Sequence, residues 1–331
     1  MKQSTHPTRR VLLQSLAASG LAATHLVPSI ALAQSFPSRP LRVIVPWAPG
    51  GLVDTGGRVV GDALSRSLGQ PAAVENVPGA AGAIGAEAVV KAPADGHTLL
   101  MGTSSLAIDA GGGRKINFDP AKDLAPVALV ADTQNVVIVP AASNIQNIAQ
   151  LVAAARQNPG GLSYGTPGIG SPAHLFVELF AQTAGVQLLH VPYGRTQAIN
   201  DLIGGRLALM FSTIPAALPA IKGGQVRTIA VTGAKRSKAL PDVPTIAESG
   251  VPGYDASQWL GVFAPARTPR DAIQKLHAEI TRAVLTPAVA ETLLARGLEP
   301  HPGTPEELGA ALASDVRKWG DVIRKANIKL E

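Results

Sequence analysis

Short apolar runs alternate with segments of helical periodicity along most of the chain. The first run, Leu41–Val45, is continuous and rich in β-branched residues, which is typical of a strand buried on both faces of a parallel sheet. Prolines and glycines then break the run, and apolar residues recur at helical spacing from Val59 to Leu68. The pattern predicts a strand, a glycine-rich loop and a helix that Asp54 or Thr55 caps.

The same alternation continues in two blocks. Further strands are predicted at residues 72–75, 98–101, 124–130, 136–139, 162–164, 188–191, 207–211, 226–231 and 261–264. Helices are predicted at residues 84–91, 148–156, 173–184, 198–203, 215–222, 269–285, 287–296 and 305–325. The two blocks predict an α/β fold of two parallel-sheet lobes with a crevice between them. Glycine-rich loops would place backbone N–H groups at this crevice, where anions bind, although such a turn is also a common plain connection.

The first 33 residues have the pattern of an export signal. Arg9 and Arg10 precede a moderately apolar segment, which ends in the small-x-small site Ala31-Leu32-Ala33. Pro28 and His25 fit a spanning helix poorly, so the pattern favours a cleaved signal over a membrane anchor. We therefore predict that residues 1–33 are a twin-arginine-type signal peptide and that the mature protein is periplasmic. Export by the general pathway is the alternative route.

Composition narrows the classes of function. The chain has 29 basic and 23 acidic residues, and three basic residues leave with the signal, so the mature net charge is 26 − 23, or +3. The basic residues are scattered without interleaved aromatics, which argues against nucleic-acid binding. Cysteine is absent, which excludes thiol catalysis and cysteine-ligated metals. The 298 residues left after 33 of 331 are removed exceed a typical single domain, in agreement with two lobes.

Motifs for covalent catalysis, phosphate binding or zinc binding are absent from the sequence. There is no G-x-S-x-G, no G-x-x-x-x-G-K-[ST] and no H-E-x-x-H, so we predict no cofactor and no metal site. His174 follows Ser171 at the start of a predicted helix, where a capping or packing histidine and a general base both remain open. An exported hydrolase that uses these two residues is the alternative to a binding protein. His190 lies in an apolar strand and is predicted to be a core residue.

Ordered motifs along the mature chain resemble one known family. The run from Val45 to Gly51 (VPWAPGG), with Asp54, resembles the first binding loop of the Bug family, the TctC-like periplasmic receptors of tripartite tricarboxylate transporters. The following motifs continue the resemblance in order: VEN at 74–76, PGAAG at 78–82, ADGHTLL at 94–100, GIGS at 168–171, HVPY at 190–193, DLIGG at 201–205, LPDVPT at 240–245 and WLGVFAP at 259–265. The similarity covers the mature chain almost from end to end.

The resemblance implies a type II periplasmic-binding-protein fold. Lobe 1 would hold residues 34–134 and 260–331, lobe 2 would hold residues 135–259, and crossover strands near 135–139 and 259–265 would join them. It implies a monomeric receptor, not an enzyme, that holds a small carboxylate in the interlobe cleft and delivers it to the membrane subunits of a transporter. Carried over by position, the ligand-binding residues are Trp47, Ala48, Pro49, Gly50, Gly51, Asp54, Ser104, Ser105, Asn135, Thr166, Gly170, Ser171, His174, Tyr193, Ser212 and Thr213.

The chain departs from the family pattern at a few positions. Trp47 stands where phenylalanine is usual, which enlarges one wall of the site and favours a planar or bulkier ligand. Three glycines at 111–113 replace a segment with an aromatic residue, so we expect a more flexible loop there. Ile169 and Pro172 replace polar residues, which suggests a ligand less polar than citrate. Asp54 is open as a ligand contact or a helix cap, and delivery to a sensor kinase is the alternative to transport.

Overall fold

The computed structural model describes residues 36–193 and 198–330 of the 331-residue chain. The predicted signal peptide and its cleavage site lie outside the described residues. Within those two ranges, no helix combines the length and the apolar character that crossing a membrane requires.

The described residues form strands and helices in regular alternation. The strands are β1 (Leu41–Val45), β2 (Ala72–Asn76), β3 (Thr98–Thr103), β4 (Leu124–Pro140), β5 (Ser163–Thr166), β6 (Leu189–Pro192), β7 (Leu209–Thr213), β8 (Val226–Val231), β9 (Ser257–Pro265) and β10 (Glu299–Gly303). The helices are α1 (Leu52–Leu68), α2 (Ala83–Val90), α3 (Ser105–Gly111), α4 (Pro120–Asp123), α5 (Ile148–Gln157), α6 (Pro172–Ala184), α7 (Ala198–Ile203), α8 (Ile214–Lys222), α9 (Arg270–Val284), α10 (Pro287–Ala295) and α11 (Pro305–Lys325), with a 3₁₀ turn at Ala80–Gly82.

The strands are ordered β2-β1-β3-β9-β4-β7-β5-β6, with β8 and β10 also paired to β4. Strands β2, β1 and β3 are parallel to one another in one half of this array, and β6, β5 and β7 are parallel in the other. The long strands β4 and β9 run antiparallel to their neighbours, so each half is a mixed sheet around a parallel set. The predicted α/β architecture is thereby confirmed, except that each sheet is mixed and not wholly parallel.

Strand β4 connects the two halves and corrects one prediction. Two separate strands were expected at residues 124–130 and 136–139, but β4 is continuous over 17 residues. It pairs with β9 up to Gln134 and with β7 and β8 from Asn135 onward. The polar residues between Val130 and Val136 interrupt the apolar pattern, yet they keep the strand pairing because they lie where β4 passes from one half to the other.

Helix α11 packs across both halves. It begins with a capping box, in which Thr304 Oγ1 accepts from the Glu307 N–H and the Glu307 carboxylate accepts from the Thr304 N–H. The indole of Trp319 is fully buried and stacks on Phe176 of α6, with ring centroids 5.4 Å apart. The same helix packs on α3, where a Cβ at Gly111 would overlap the Val316 carbonyl oxygen. The glycines at 111–112 therefore permit close packing, and the expectation of a flexible loop is wrong for them.

Candidate ligand-binding cleft

A cavity of about 450 Å³ lies where four strand-to-helix turns meet. The turns are β1 to α1, β3 to α3, β5 to α6 and β7 to α8, two from each half of the sheet. Strands β4 and β9 contribute one residue each. The lining residues are Trp47, Gly51, Leu52, Val53, Thr103, Ser105, Asn135, Pro167, Ser171, Pro172, Ala173, Met210, Phe211, Ser212, Thr213, Ala216 and Gln258. The cavity thus occupies the carboxyl ends of the strands, where ligands bind in open α/β sheets.

The helices α1, α6 and α8 begin at this cavity. Gly51 and Thr213 are the N-cap residues of α1 and α8, and neither provides a side-chain hydrogen bond to its helix. The first-turn N–H groups of α1 and the Ile214 N–H of α8 therefore have no side-chain acceptor, whereas Pro215, the second residue of α8, has no N–H. Each helix N-terminus carries roughly half a positive charge. No charged side chain is among the lining residues that the structure describes. The arrangement can hold an anion with backbone dipoles alone.

Asp54 organises the first loop from inside the protein. Its buried carboxylate accepts from the Gly50 N–H at 2.9 Å, from Asn76 Nδ2 at 2.9 Å and from Arg58. Burial opposes ionisation, but these hydrogen bonds outweigh it and lower the pKa of Asp54. Helix α1 begins at Leu52 with Gly51 as N-cap, so the prediction that Asp54 or Thr55 caps it is wrong. Asp54 does not line the cavity, and its contacts are those of a residue that fixes the loop.

Three other residues of the first loop lie outside the cavity, on the protein surface. Ala48, Pro49 and Gly50 are exposed and do not line the cavity. Trp47 does line it, and its carbonyl oxygen accepts from Asn76 Nδ2 at 3.0 Å. Since Asn76 also donates to Asp54, the side chain of Asn76 joins the aromatic wall to the buried carboxylate.

The second loop uses its polar side chains within itself. Ser171 Oγ donates to the Gly168 carbonyl at 2.7 Å and accepts from the His174 N–H at 3.4 Å, so it caps α6. Ser171 also lines the cavity. Thr166 is fully buried, and its Oγ1 lies 2.6 Å from Nε2 of His190 beneath the loop. The expectation that both hydroxyls point at a ligand therefore fails for Thr166, and the hydroxyl hydrogen of Ser171 is already engaged.

His174 supports the second loop as a neutral ring. Its Nδ1 accepts from the Gly170 N–H at 3.0 Å, and the ring stacks on His190 at 3.9 Å between centroids. Burial, and secondarily His190, lowers the pKa of His174 to about 4. Because Nδ1 is occupied and Ser171 donates to Gly168, the two residues do not form the nucleophile–base pair that a hydrolase needs. His190 is half-buried in this ring stack.

The remaining predicted residues are spread around the cavity. Ser105, Ser212 and Thr213 line it, whereas Ser104 is fully buried before α3. The Tyr193 hydroxyl donates to Asp201 at 2.6 Å and does not line the cavity.

Gly170 lines an adjoining cavity of about 350 Å³, which shares Trp47, Ser105, Pro167, Ser171 and Pro172 with the first. A Cβ at Gly170 or at Gly112 would overlap the Leu330 side chain, which therefore fits between the two glycines.

Asn135 lies on β4 where the strand changes partners. Its Nδ2 donates to the Phe211 carbonyl at 3.3 Å, and its buried Oδ1 has no hydrogen-bond partner in the described part of the chain. Its backbone is held by Thr232, whose Oγ1 accepts from the Asn135 N–H at 2.9 Å. The amide nitrogen of Asn135 therefore bonds to the backbone of β7, and Asn135 lines the cavity as predicted.

Sequence reasoning missed several lining residues. Thr103 ends β3 immediately before the predicted loop, and Gln258 lies on β9 opposite Thr133. Gln258 was missed because the strand was predicted to begin only at residue 261. Met210 and Phe211 belong to an apolar strand, which the pattern marks as core, and their position at its carboxyl end is the signal that was available.

A smaller cavity of about 250 Å³ lies beside the crossover strands, lined by residues 132–134, 233–236, Ser257 and Glu299. Glu299 there accepts from Ser237 Oγ at 2.8 Å and from the Lys238 N–H at 3.0 Å, which ties β10 to the segment after β8. In the described residues, no group of three or more histidine, aspartate or glutamate side chains is arranged to hold a metal ion.

Comparison with known proteins decides the family. Residues 57–328 match the family model of the tripartite tricarboxylate transporter family receptor, TctC. The chain belongs to this family. It is 36% identical over 302 residues to BugT of Bordetella pertussis, covering 90% of this chain and 93% of that one. Members of the family are solute receptors and not enzymes, so the receptor prediction is confirmed.

Two solved structures are similar over most of the chain. An R. palustris protein solved with adipate is 34% identical with a TM-score of 0.75, covering 89% of this chain and 99% of its own. MatC from Rhodopseudomonas palustris, with bound malate, is 30% identical with a TM-score of 0.72, covering 87% and 100%. These neighbours share the two-lobe fold.

Proposed function

We propose that this chain is a periplasmic receptor that binds a small carboxylate in the cleft and delivers it to the membrane subunits of a tripartite tricarboxylate transporter. The observation that carries the proposal is the convergence of the N-termini of α1, α6 and α8 on one cavity whose described lining is uncharged. Such a site attracts an anion through dipoles that act over one helical turn, which suits a receptor that must also release it. Similar proteins were solved with adipate and malate.

The lobes of the proposed receptor follow the strand pairing. Lobe 1 comprises residues 34–134 and 260–331, and lobe 2 comprises residues 135–259. Support comes from β4, which changes partners at Asn135, and from β9, whose pairing with β4 ends at Ser257. Closure about these two strands would bring the turns of α1 and α3 toward those of α6 and α8. We further propose that residues 1–33 direct export through the twin-arginine route and that the mature receptor is a monomer.

Calorimetry with adipate and its neutral analogue adipamide tests the anion site. Adipate is expected to bind and adipamide to bind at least a hundredfold more weakly, because only the carboxylate matches the helix N-termini. Small-angle scattering on the same samples should show a smaller radius of gyration with the ligand that binds. Equal affinity for the amide, or turnover of either compound, would contradict the proposal.

A further inference from the structure

The side chains that line the cleft favour a narrower class of ligand than small carboxylates in general. We propose that the ligand carries one carboxylate on a planar, apolar body, as an aromatic monocarboxylate does. This inference rests on the proposed function, since it assigns the ligand of that same site.

The first observation is the charge of the 450 Å³ cavity, called the chamber below. Its described lining contains no ionisable side chain, so the helix N-termini are the positive element that the lining offers. A second carboxylate on the ligand would leave water without a cation opposite it, so a dicarboxylate is expected to bind more weakly than a monocarboxylate of the same size. In the adjoining cavity, Arg114 donates to the buried carboxylate of Asp109 at 2.7 Å, so this arginine already has an acidic partner. The two cavities together therefore favour a ligand with a single negative charge.

The second observation is the apolar wall. Leu52, Val53, Pro167, Pro172, Met210 and Phe211 line the chamber, and the polar side chains lie at the strand ends and on the crossover strands. A ligand that satisfies both regions must be amphipathic, with its carboxylate at the turns and its apolar body against the wall. Malate and citrate carry hydroxyl and carboxylate groups along the whole molecule, and these would lose hydration against the apolar side chains.

The third observation is that the aromatic wall is held in place before a ligand arrives. The Trp47 carbonyl is tied to Asn76, which is tied to Asp54. The indole lies beside Gly82 of the 80–82 turn, where a Cβ would be at van der Waals distance, 3.7 Å, from Cε2 and Cζ2 of the ring. A fixed indole offers a flat surface for a ring and loses little side-chain entropy on binding.

The test is titration of the mature protein with benzoate, adipate, malate and citrate by calorimetry. Benzoate is expected to bind at least tenfold more tightly than adipate, malate and citrate. Trp47→Ala should weaken benzoate about tenfold, whereas Trp47→Phe, which keeps an aromatic wall, should weaken it no more than about threefold. Tighter binding of adipate, malate or citrate than of benzoate would overturn the inference and leave the proposed function intact. Failure of all four carboxylates to bind would overturn both.

A charge-insertion variant tests the same inference in the opposite direction. Val53 is half-buried in the chamber wall, so Val53→Lys places a cation where the wall now has none. The ratio of adipate to benzoate affinity is expected to rise at least fivefold, because the second carboxylate gains a partner. Leu285→Lys is the matched control, since Leu285 is 65% exposed on α9's carboxyl side and does not line the cleft. An unchanged ratio in folded Val53→Lys would show that charge in the chamber does not select the ligand.

Discussion

One backbone N–H of the cleft can be removed without breaking its helix. Leu52 is the first residue of α1, and its N–H has no partner within the helix. Proline is well tolerated at this position because its fixed φ suits the first turn. The preceding residue, Gly51, has φ −81° and ψ 177°, which is the extended conformation that a following proline requires. Leu52→Pro therefore deletes one anion donor while α1 is kept.

The size of the effect follows from the charge of the ligand. A hydrogen bond to a charged group contributes about 1.5–3 kcal/mol, which corresponds to a roughly tenfold to 150-fold loss of affinity. Leu52→Ala is the control, because it removes the same apolar side chain and keeps the N–H. We expect Leu52→Pro to bind carboxylate at least tenfold more weakly than Leu52→Ala, with both variants equally helical.

The assay is calorimetry with benzoate and adipate on both variants, with circular dichroism and thermal unfolding as checks on the fold. The comparison isolates one donor, because both variants lack the leucine side chain. If Leu52→Pro and Leu52→Ala have equal affinities and equal melting temperatures, then the N-terminus of α1 does not hold the carboxylate. The assignment of the carboxylate to the N-terminus of α1 would then be refuted.

Three further outcomes follow from the second loop and the C-terminus. Ser171→Ala should lower the free energy of unfolding by about 1 kcal/mol through loss of a helix cap, and calorimetry should show a smaller change in Kd than Leu52→Pro gives. Burial lowers the pKa of His174 to about 4 in the folded protein, whereas an exposed histidine has a pKa of 6.5. As the pH falls, the unfolded chain therefore takes up this proton first. Urea titrations should show the free energy of unfolding falling by about 3 kcal/mol from pH 6.5 to 4. His174→Asn should remove much of this dependence. Leu330→Ala empties the space between Gly112 and Gly170 and should lower the melting temperature more than Leu285→Ala does, since Leu285 is exposed.

The arrangement of strands and helices was predictable where apolar runs were uninterrupted. β8 begins and ends where the sequence indicates, and α11 does so as well. β4 was divided in error because its polar centre, from Asp132 to Asn135, looks like a loop when its pairing partners are unknown. β10 was missed because Pro300 and Pro302 are unfavourable in strands, and it survives as an irregular strand beside β4. Long-range pairing decides both cases, and local pattern does not contain it.

The cleft was predictable at the level of loops more than of side chains. Loop glycines and hydroxyl residues correctly indicated the turns after β1, β3, β5 and β7. The direction of each side chain depends on contacts remote in sequence: Thr166 bonds to His190, and Tyr193 to Asp201. Asp54 shows the same limit, because its partner Asn76 lies 22 residues away. Sequence alone therefore located the loops and could not separate residues that face the cavity from those that support it.

An uncharged chamber separates ligand binding from titration of the protein. Burial lowers the pKa of both His174 and His190, which lie beneath the second loop and outside the described lining of the main cavity. The backbone N–H groups at the helix N-termini do not titrate in this range, and in mild acid the unfolded chain takes up the His174 proton while the folded protein keeps this ring neutral. Mild acid should therefore reduce stability while the charge of the binding groups stays constant. The electrostatic potential of a helix N-terminus also falls off within one turn of the helix. We therefore expect an anion to be held strongly only while the two proposed lobes enclose it.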